Sequence, residues 1–258
     1  MKFIHTADWQ IGKPFARIAD PRKRSLLQQE RVEVVKRIGT AAKENKADFV
    51  LVAGDLFDSA NADQASVAAT CSAIGAMDLP VLAIPGNHDH AGPGTVWKQD
   101  FFQREQEKLA PNLVVLQEAA PYLGFEGAVI LPCPLTSRAV AGDPTEWLRA
   151  ASVYASLPTD KARIVLAHGS TQRFVGGGDE QEDGSAVNVL DLERLPDSEI
   201  DYVALGDWHG TKQVNTKAWY AGTPEPDHFA KGEDYETGNV LLVEARRGQA
   251  PQVTKVHT

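Results

Sequence analysis

The segment FVLVAGDLFD, residues 49–58, sets the pattern on which the fold depends. A short run of apolar, β-favouring residues ends abruptly in a glycine and the carboxylate of Asp55. Such a run, bounded by a turn signal, is typical of a β-strand in an α/β protein. The segment therefore predicts a strand that carries a metal-competent side chain at its carboxyl end.

The same pattern recurs at four other places along the chain. FIHTA precedes Asp8, VLAIPG precedes Asn87 and His88, RIVLA precedes His168, and YVALG precedes Asp207 and His209. Ligands of open α/β sheets bind beyond the carboxyl ends of the strands, so we expect these side chains to converge on one crevice. Carboxylates gathered there would repel each other, a cost that divalent cations relieve. Taken singly, each residue also fits a turn, a cap or the core, but together they predict a metal site.

Helical stretches alternate with these runs, and the alternation predicts an α/β fold. Strands are expected at Lys2–Ala7, Phe49–Gly54, Val81–Pro85, Leu113–Leu116, Ala128–Leu131, Arg163–Ala167, Tyr202–Gly206, Val240–Glu244 and Val253–Val256. Helices are expected at Leu26–Glu44, Ala62–Met77, Val96–Leu109 and Pro144–Ala155. The length of 258 residues favours a single domain, 1–258.

Composition bounds the setting in which the chain works. It is 43% hydrophobic and 24% charged, with a net charge of −9. No apolar stretch approaches the ~20 residues of a membrane-spanning helix, and the N-terminus lacks the pattern of a secretory signal. The two cysteines, Cys71 and Cys133, offer neither a disulfide framework nor a Cys-x-x-Cys metal spacing. These features predict a cytoplasmic protein with no membrane partner.

Positive charge is concentrated in residues 11–50, which hold ten Lys and Arg against five Asp and Glu. An acidic chain is poorly suited to bind duplex DNA by counterion release alone, so phosphate contacts are expected in this segment. Arg17, Arg22, Lys23 and Arg24 are predicted to lie in a proline-containing loop after the first strand. Because functional residues often lie on such loops, Arg17 and Arg22 are predicted to bind substrate.

The motifs HTADWQIG (5–12), GDLFD (54–58), GNHD (86–89), AHG (167–169) and GDWHG (206–210) resemble the five-motif signature of calcineurin-like metallophosphoesterases. The match spans nearly the whole chain. HTADW, GDLFD and YAGTPEP (220–226) further resemble the SbcD-type nucleases, which process DNA ends with SMC-family ATPases. The protein phosphatases of the superfamily carry GDxxDRG and GNHE, so that branch is disfavoured. The resemblance implies a four-layer α/β/β/α fold, a central β-sandwich flanked by helices.

The resemblance also implies two divalent metal ions bridged by Asp55. Asp8, Gln10 and His209 would complete the first site, and Asn87, His168 and Asp207 would complete the second. His88 would be the catalytic histidine, which protonates the leaving oxygen or holds the phosphate charge. Asp58 and Asp89 are candidates to orient His88, although either could equally cap a neighbouring helix.

Two ligand positions depart from the family pattern, since Gln10 and Asp207 stand where the family has histidines. Both changes make the sites richer in oxygen, which suits Mn²⁺ or Mg²⁺ better than Zn²⁺, so we expect manganese and unequal occupancy. Alternatively, both residues only hydrogen-bond to other ligands. A further departure is that the chain ends soon after GTPEPDHF, so we expect the capping domain and ATPase-binding segment of the family nucleases to be missing.

The leading interpretation is a manganese-dependent DNA repair nuclease, either an exonuclease or a single-strand endonuclease, working alone or with an SMC-type ATPase. A phosphodiesterase or phosphatase for small molecules is the alternative, and it suits the acidic chain. A weakened fold kept as a binding module, motivated by Gln10 and Asp207, is a third. The oligomeric state stays open, a homodimer included.

Two further features have an open interpretation. Trp9 and Trp208 either pack in the core or stack on nucleic-acid bases, and core packing is favoured. The segment 174–186 is rich in glycine and acidic residues, which predicts a mobile loop.

Overall fold

The computed structural model describes residues 1–171, 187–226 and 236–258. The predicted mobile loop at 174–186 therefore lies outside the described residues. Within the described ranges, no helix is long and apolar enough to cross a membrane.

The larger sheet has six strands in the order β13-β12-β1-β2-β3-β4. Its strands are β1 (Lys2–Thr6), β2 (Phe49–Val52), β3 (Val81–Ala83), β4 (Leu113–Val115), β12 (Asn239–Glu244) and β13 (Gln252–His257). Strands β1 to β4 pair in parallel, whereas β12 and β13 pair antiparallel at one edge. The parallel strands thus direct their carboxyl ends to one edge of this sheet.

The second sheet has five strands in the order β10-β11-β9-β6-β5. Its strands are β5 (Ala128–Cys133), β6 (Ala162–His168), β9 (Tyr202–Gly206), β10 (Lys212–Gln213) and β11 (Ala218–Tyr220). All pair in parallel except β10. Two short parallel strands, β7 (Ser170–Thr171) and β8 (Val189–Leu190), form a separate small sheet.

The helices are α1 (Pro21–Glu44), α2 (Gln64–Gly75), α3 (Asp100–Leu109) and α4 (Ala151–Ala155), supplemented by short 3₁₀ turns. Helix α1 begins with Pro21, and the side chain of Asp20 caps it by accepting from the backbone N–H groups of Arg22 and Lys23. A cap of this kind satisfies donors that the first helical turn leaves without partners.

The two sheets pack face to face, and helices cover both outer faces. Residues of β2 alternate between the layers: Val50 and Val52 face the helices, whereas Phe49 and Leu51 pack between the sheets. Both faces of the strand are apolar because both are buried, as is usual for parallel strands. A third cluster joins the second sheet to α4. The predicted four-layer α/β/β/α fold is confirmed.

Most predicted elements are present, with differences at their ends. Helix α1 begins five residues earlier than predicted, so Arg22, Lys23 and Arg24 lie in its first turn and not in a loop. That prediction was wrong because Pro21 was interpreted as a loop signal, although proline suits the first position of a helix. The predicted helices at 96–109 and 144–155 are each interrupted, since Gln99 and Ala150 adopt extended backbone angles.

Candidate metal centre

The strand ends bring the candidate ligands to one crevice between the sheets. Asp8 and Asp55 follow β1 and β2, His168 ends β6, and Asp207 follows β9. The ligand atoms of Asp8, Asp55 and His168 lie within 4.8 Å of one another. Two side chains from one sheet thus meet a third from the other sheet at one point.

Glycine makes this approach of the two sheets possible. A Cβ atom on Gly54 would overlap the imidazole of His168, and one on Gly206 would overlap the carbonyl oxygen of Ala53. In the GDLFD and GDWHG motifs, packing between the sheets therefore requires glycine before the aspartate, whatever backbone angles the turn needs.

The backbone at the ligands is held in an uncommon conformation. Asp8, Gln10, Asp55 and Asp207 have φ angles of 54°, 45°, 52° and 101°, in a region that residues other than glycine rarely adopt. Such positions cost roughly 1–3 kcal/mol each and persist only where surrounding contacts enforce them. Here the backbone N–H of Asp8 donates to Gly54 O at 3.1 Å, and that of Gln10 donates to Asp55 O at 2.9 Å. These bonds tie the loop after β1, residues 8–13, which we call the ligand loop, to the loop after β2.

His168 is a fully buried ligand candidate whose ring is held by the backbone. Its Nδ1 lies 2.8 Å from the carbonyl oxygen of Ala53, which can only accept, so Nδ1 carries a proton. The other ring nitrogen, Nε2, faces three oxygens: Asn87 Oδ1 at 2.9 Å, Asp55 Oδ2 at 3.6 Å and Asp207 Oδ1 at 3.8 Å. One imidazole nitrogen and three oxygens therefore converge on one small volume.

Asp55 belongs to this cluster and also contacts His88. One carboxylate oxygen, Oδ1, accepts from the backbone N–H of His88 at 2.9 Å. The other, Oδ2, faces His168 Nε2 and lies 3.9 Å from His88 Nε2. The carboxylate is thus oriented by the backbone and directed to both imidazoles.

Gln10 and His209 lie on the other side of the centre. Gln10 Nε2 is 3.3 Å from His209 Nε2, and Gln10 Oε1 accepts from the ammonium of Lys13 at 2.7 Å. Asp8 links the two sides, because both of its carboxylate oxygens accept from the backbone N–H of Asp207 at 3.2 Å.

The electrostatics of the centre are those of crowded buried carboxylates. Burial, together with the neighbouring carboxylates of Asp55 and Asp207, raises the pKa of Asp8 to about 7, although His168 and His209 oppose this shift. Burial alone would lower the pKa of His168, but the charges of Asp55, Asp8 and Asp207 outweigh it and raise that pKa to about 9. Asp8 and His168 therefore retain protons at a place whose geometry would also suit a metal cation.

His88 is half-buried on the same crevice. Its Nδ1 lies 2.8 Å from the backbone carbonyl of Asp58, so Asp58 orients the ring through its main chain. The Asp89 carboxylate is fully buried and accepts from the backbone N–H groups of Phe57 and Gly86, at 3.0 and 2.8 Å. Asp89 therefore shapes the loop that carries His88. Burial raises the pKa of Asp58, and the charges of His88, Lys13 and Arg31 oppose that shift.

Sequence reasoning missed two residues of the centre. Ser170 donates from Oγ to Asp207 Oδ2 at 2.5 Å, leaving Oδ1 to face His168. Lys13 contacts Gln10, as described above. Both could have been noticed, because Ser170 directly follows the AHG motif and Lys13 directly follows HTADWQIG.

Other residues of the motifs belong to the core. Trp9 is fully buried and donates from Nε1 to Thr6 Oγ1 at 2.9 Å, so its packing is that of the core. His5 is also fully buried, between Tyr202 and the carbonyl of Leu205, and burial lowers its pKa to about 3. Trp208 is partly exposed, with the Lys212 ammonium 5.6 Å from its ring centre.

The predicted substrate-binding arginines follow the ligand loop in the sequence. Arg17 is exposed in the segment before α1, and Arg22 is exposed in its first turn. Two side chains of α1 bind the ligand loop directly: Gln28 donates to Lys13 O at 3.2 Å and Arg31 donates to Trp9 O at 2.7 Å. These two bonds fix the second and third turns of α1 to the ligand loop.

Known proteins resemble this chain over most of its length. A family model for calcineurin-like phosphoesterases matches residues 1–211. Among curated proteins, the chain is similar to the SbcD component of the nuclease SbcCD of Bacillus subtilis, with 24% identity over 278 aligned positions that cover 96% of this chain and 67% of that protein.

Solved structures show the same fold at low sequence identity. The crystal structure of TT1561 of Thermus thermophilus is 15% identical, covers 98% of this chain and 98% of that chain, and superposes with a TM-score of 0.55. A second crystal structure is 9% identical, covers 99% of this chain and 98% of that chain, and has a TM-score of 0.56.

Proposed function

We propose, since this chain belongs to the calcineurin-like phosphoesterase family, that it is a metal-dependent phosphodiester hydrolase that cleaves DNA. Family membership supports the reaction class, the hydrolysis of phosphoesters with divalent metal ions. The choice of DNA is supported by the similarity to a relative that is named as a component of a nuclease.

The observation that carries the proposal is the convergence of three oxygens on His168 Nε2, with Nδ1 already occupied by Ala53 O. An imidazole nitrogen with carboxylate and amide oxygens is a donor set that fits a divalent ion such as Mn²⁺. The carbonyl of Ala53 fixes the ring in the tautomer that a ligand needs. The residues present therefore fit the metal that the family implies.

The proposed ligand sets follow the two sides of the centre. Asp55 belongs to both sets. Asn87, His168 and Asp207 form one side, and Asp8, Gln10 and His209 form the other. Because oxygen donors predominate, manganese is the proposed ion, with magnesium the next choice.

Bound ions would supply Lewis acidity at the phosphate and lower the pKa of a water. The protein supplies position and proton transfer. His88, oriented by Asp58 O, presents Nε2 to the crevice beside Asp55 and can protonate the leaving oxygen or hold the phosphate charge. Asp55 Oδ2 lies 3.9 Å from Nε2 of His88 and 3.6 Å from Nε2 of His168, so one carboxylate oxygen faces both imidazoles.

The DNA backbone is proposed to run past the N-terminal end of α1. Arg17 and Arg22 are exposed there, and Gln28 and Arg31 tie this end of the helix to the ligand loop. Positive charge fixed beside the centre would hold a phosphate next to the one that is cleaved. Exchanging both arginines for glutamate should raise KM for an oligonucleotide and weaken the salt dependence of binding.

We place the protein in the cytoplasm, where it acts in DNA repair with an SMC-type ATPase as partner. The chain covers about two thirds of its nuclease relative, at 67% of that protein's length. Co-purification of the protein with an SMC-type ATPase expressed beside it would test the partner.

A side-by-side assay tests the substrate. The Mn²⁺-loaded protein is given linear duplex DNA, a single-stranded oligonucleotide and bis-p-nitrophenyl phosphate, with His88→Ala as the matched inactive control. Cleavage of either DNA that His88→Ala abolishes supports a nuclease. Hydrolysis of the small diester without any cleavage of DNA would identify a small-molecule phosphodiesterase. Metal-independent DNA binding without turnover would indicate a binding module.

A further inference from the structure

The contact between Lys13 and Gln10 lies inside the proposed metal centre, yet it is not the contact of a metal ligand. Lys13 Nζ is 2.7 Å from Gln10 Oε1. An ammonium group only donates hydrogen bonds, so the group that it contacts must be the amide oxygen. The oxygen of Gln10 is therefore turned to Lys13, and the amide NH₂ points the other way.

The amide NH₂ of Gln10 is directed to His209. The distance from Gln10 Nε2 to His209 Nε2 is 3.3 Å, and since an amide nitrogen only donates, the imidazole nitrogen must accept with its lone pair. A metal ion binds a neutral imidazole through that same lone pair. Gln10 thus covers the ligand atom of His209 instead of adding one of its own.

The loop holds Gln10 in this orientation. Gln10 is 2% exposed and has a φ of 45°, and its backbone N–H donates to Asp55 O. The backbone N–H of Lys13 donates to Gln10 O at 3.2 Å, and Gly12 supplies a φ of 89° in this turn. The turn folds Lys13 back over Gln10, so the side-chain contact follows from the backbone conformation.

We infer that Lys13 is a positioning residue that keeps the Gln10 side of the centre from binding a metal ion tightly. It does so through Gln10, whose amide must rotate away from both Lys13 and His209 before an ion can bind there. On the His168 side, the contacts described for Nε2 are with oxygens of Asn87, Asp55 and Asp207, which are themselves proposed ligands, so that side binds the tight ion. This inference rests on the proposed function, because it concerns how the proposed metal centre is loaded.

Calorimetric titration of the chelator-treated protein with Mn²⁺ tests the inference without any activity measurement. The wild type should show one tight and one weak ion. Lys13→Met should tighten the weak ion roughly 10-fold or more, the range seen when a residue behind a metal ligand is changed. Lys13→Arg, which retains a cationic donor, and Lys36→Met, which removes an exposed lysine of α1, should both titrate as the wild type does.

A double-mutant cycle separates action through Gln10 from simple charge repulsion. Gln10→His should tighten the weak ion by itself, and in that background Lys13→Met should change the affinity less than about 3-fold, because the amide is gone. An equal effect of Lys13→Met in both backgrounds would overturn the positioning role. Two equally tight ions in the wild type would overturn it as well, while leaving the proposed function intact. A wild type that binds no Mn²⁺ would overturn both.

Discussion

On the His168 side of the centre, three oxygens face one imidazole nitrogen that the backbone carbonyl of Ala53 has oriented. On the His209 side, the facing group is the amide nitrogen of Gln10, and a lysine holds the amide oxygen. Both sides lie at strand ends and share Asp8 and Asp55 as neighbours. The difference teaches that ligand-rich motifs of one sequence can present different atoms to the centre, because the contacts behind each side chain decide which atom faces it.

The largest effect is expected at the residue common to both sides. Asp55→Asn should remove metal from both and lower turnover by more than about 10⁴-fold, beyond the loss of one acid–base group. Metal content after gel filtration and steady-state turnover check this. Asp78→Asn is the matched control, since Asp78 is an exposed aspartate with a φ of 54° beside 52° for Asp55. Tight metal retained in Asp55→Asn would contradict a shared ligand.

His88 separates binding from chemistry. Its Nε2 faces the crevice, but in the proposed mechanism it acts on the substrate and not on the ions. His88→Ala should therefore keep near-native metal content while turnover falls by roughly 10²–10⁴-fold. His257→Ala, on the edge strand β13, serves as the control for loss of a histidine. Unchanged turnover in His88→Ala would remove His88 from the mechanism.

Metal preference should follow the two departures from the family pattern. Wild type should turn over faster with Mn²⁺ than with Zn²⁺, and the double variant Gln10→His with Asp207→His should shift the ratio of the two rates towards zinc by about 10-fold. Stripping each protein, reloading it with one ion and measuring turnover gives the ratio. The single variants assign the shift to one side. A wild type that works best with zinc would show that the donor atoms do not set the preference.

The smallest effect concerns pH. The pKa is raised to about 7 for Asp8 and to about 9 for His168. As the pH rises, the folded protein without metal therefore keeps these two protons to a higher pH than the unfolded chain does. The stability that these groups contribute is present below their ordinary pKa values and is lost as pH rises through about 7 and then about 9. A metal ion replaces those protons, so the rise in Tm on adding Mn²⁺ should be larger at about pH 8.5 than at about pH 6.

Thermal melts with and without Mn²⁺ at the two pH values measure that difference. Asp55→Asn, melted in the same way, controls for effects of the ion outside the centre. An equal rise at both pH values would show that the ion does not compete with these protons.

Much of this protein could be predicted from local sequence. Apolar runs such as FVLVAG and YVALG predict strands that are buried on both faces. The residue after each run can be assigned to a strand end even when the neighbouring strand is not known. The α/β fold therefore followed from the alternation of strands and helices, and the ends of the parallel strands could be expected to lie close together. The start of α1 did not, because Pro21 fits a loop and a first helical turn equally well, and the cap by Asp20 decides between them.

Only the tertiary structure decided how each ligand atom is held. Asp58 orients His88 through its carbonyl oxygen and not its carboxylate, and Ser170 holds one oxygen of Asp207. Lys13 turns the Gln10 amide towards His209. The sequence gives the donor and acceptor groups of each residue. Which atom of a side chain faces the centre depends on hydrogen-bond partners from distant parts of the chain. Those hydrogen bonds form only when the two sheets pack against each other.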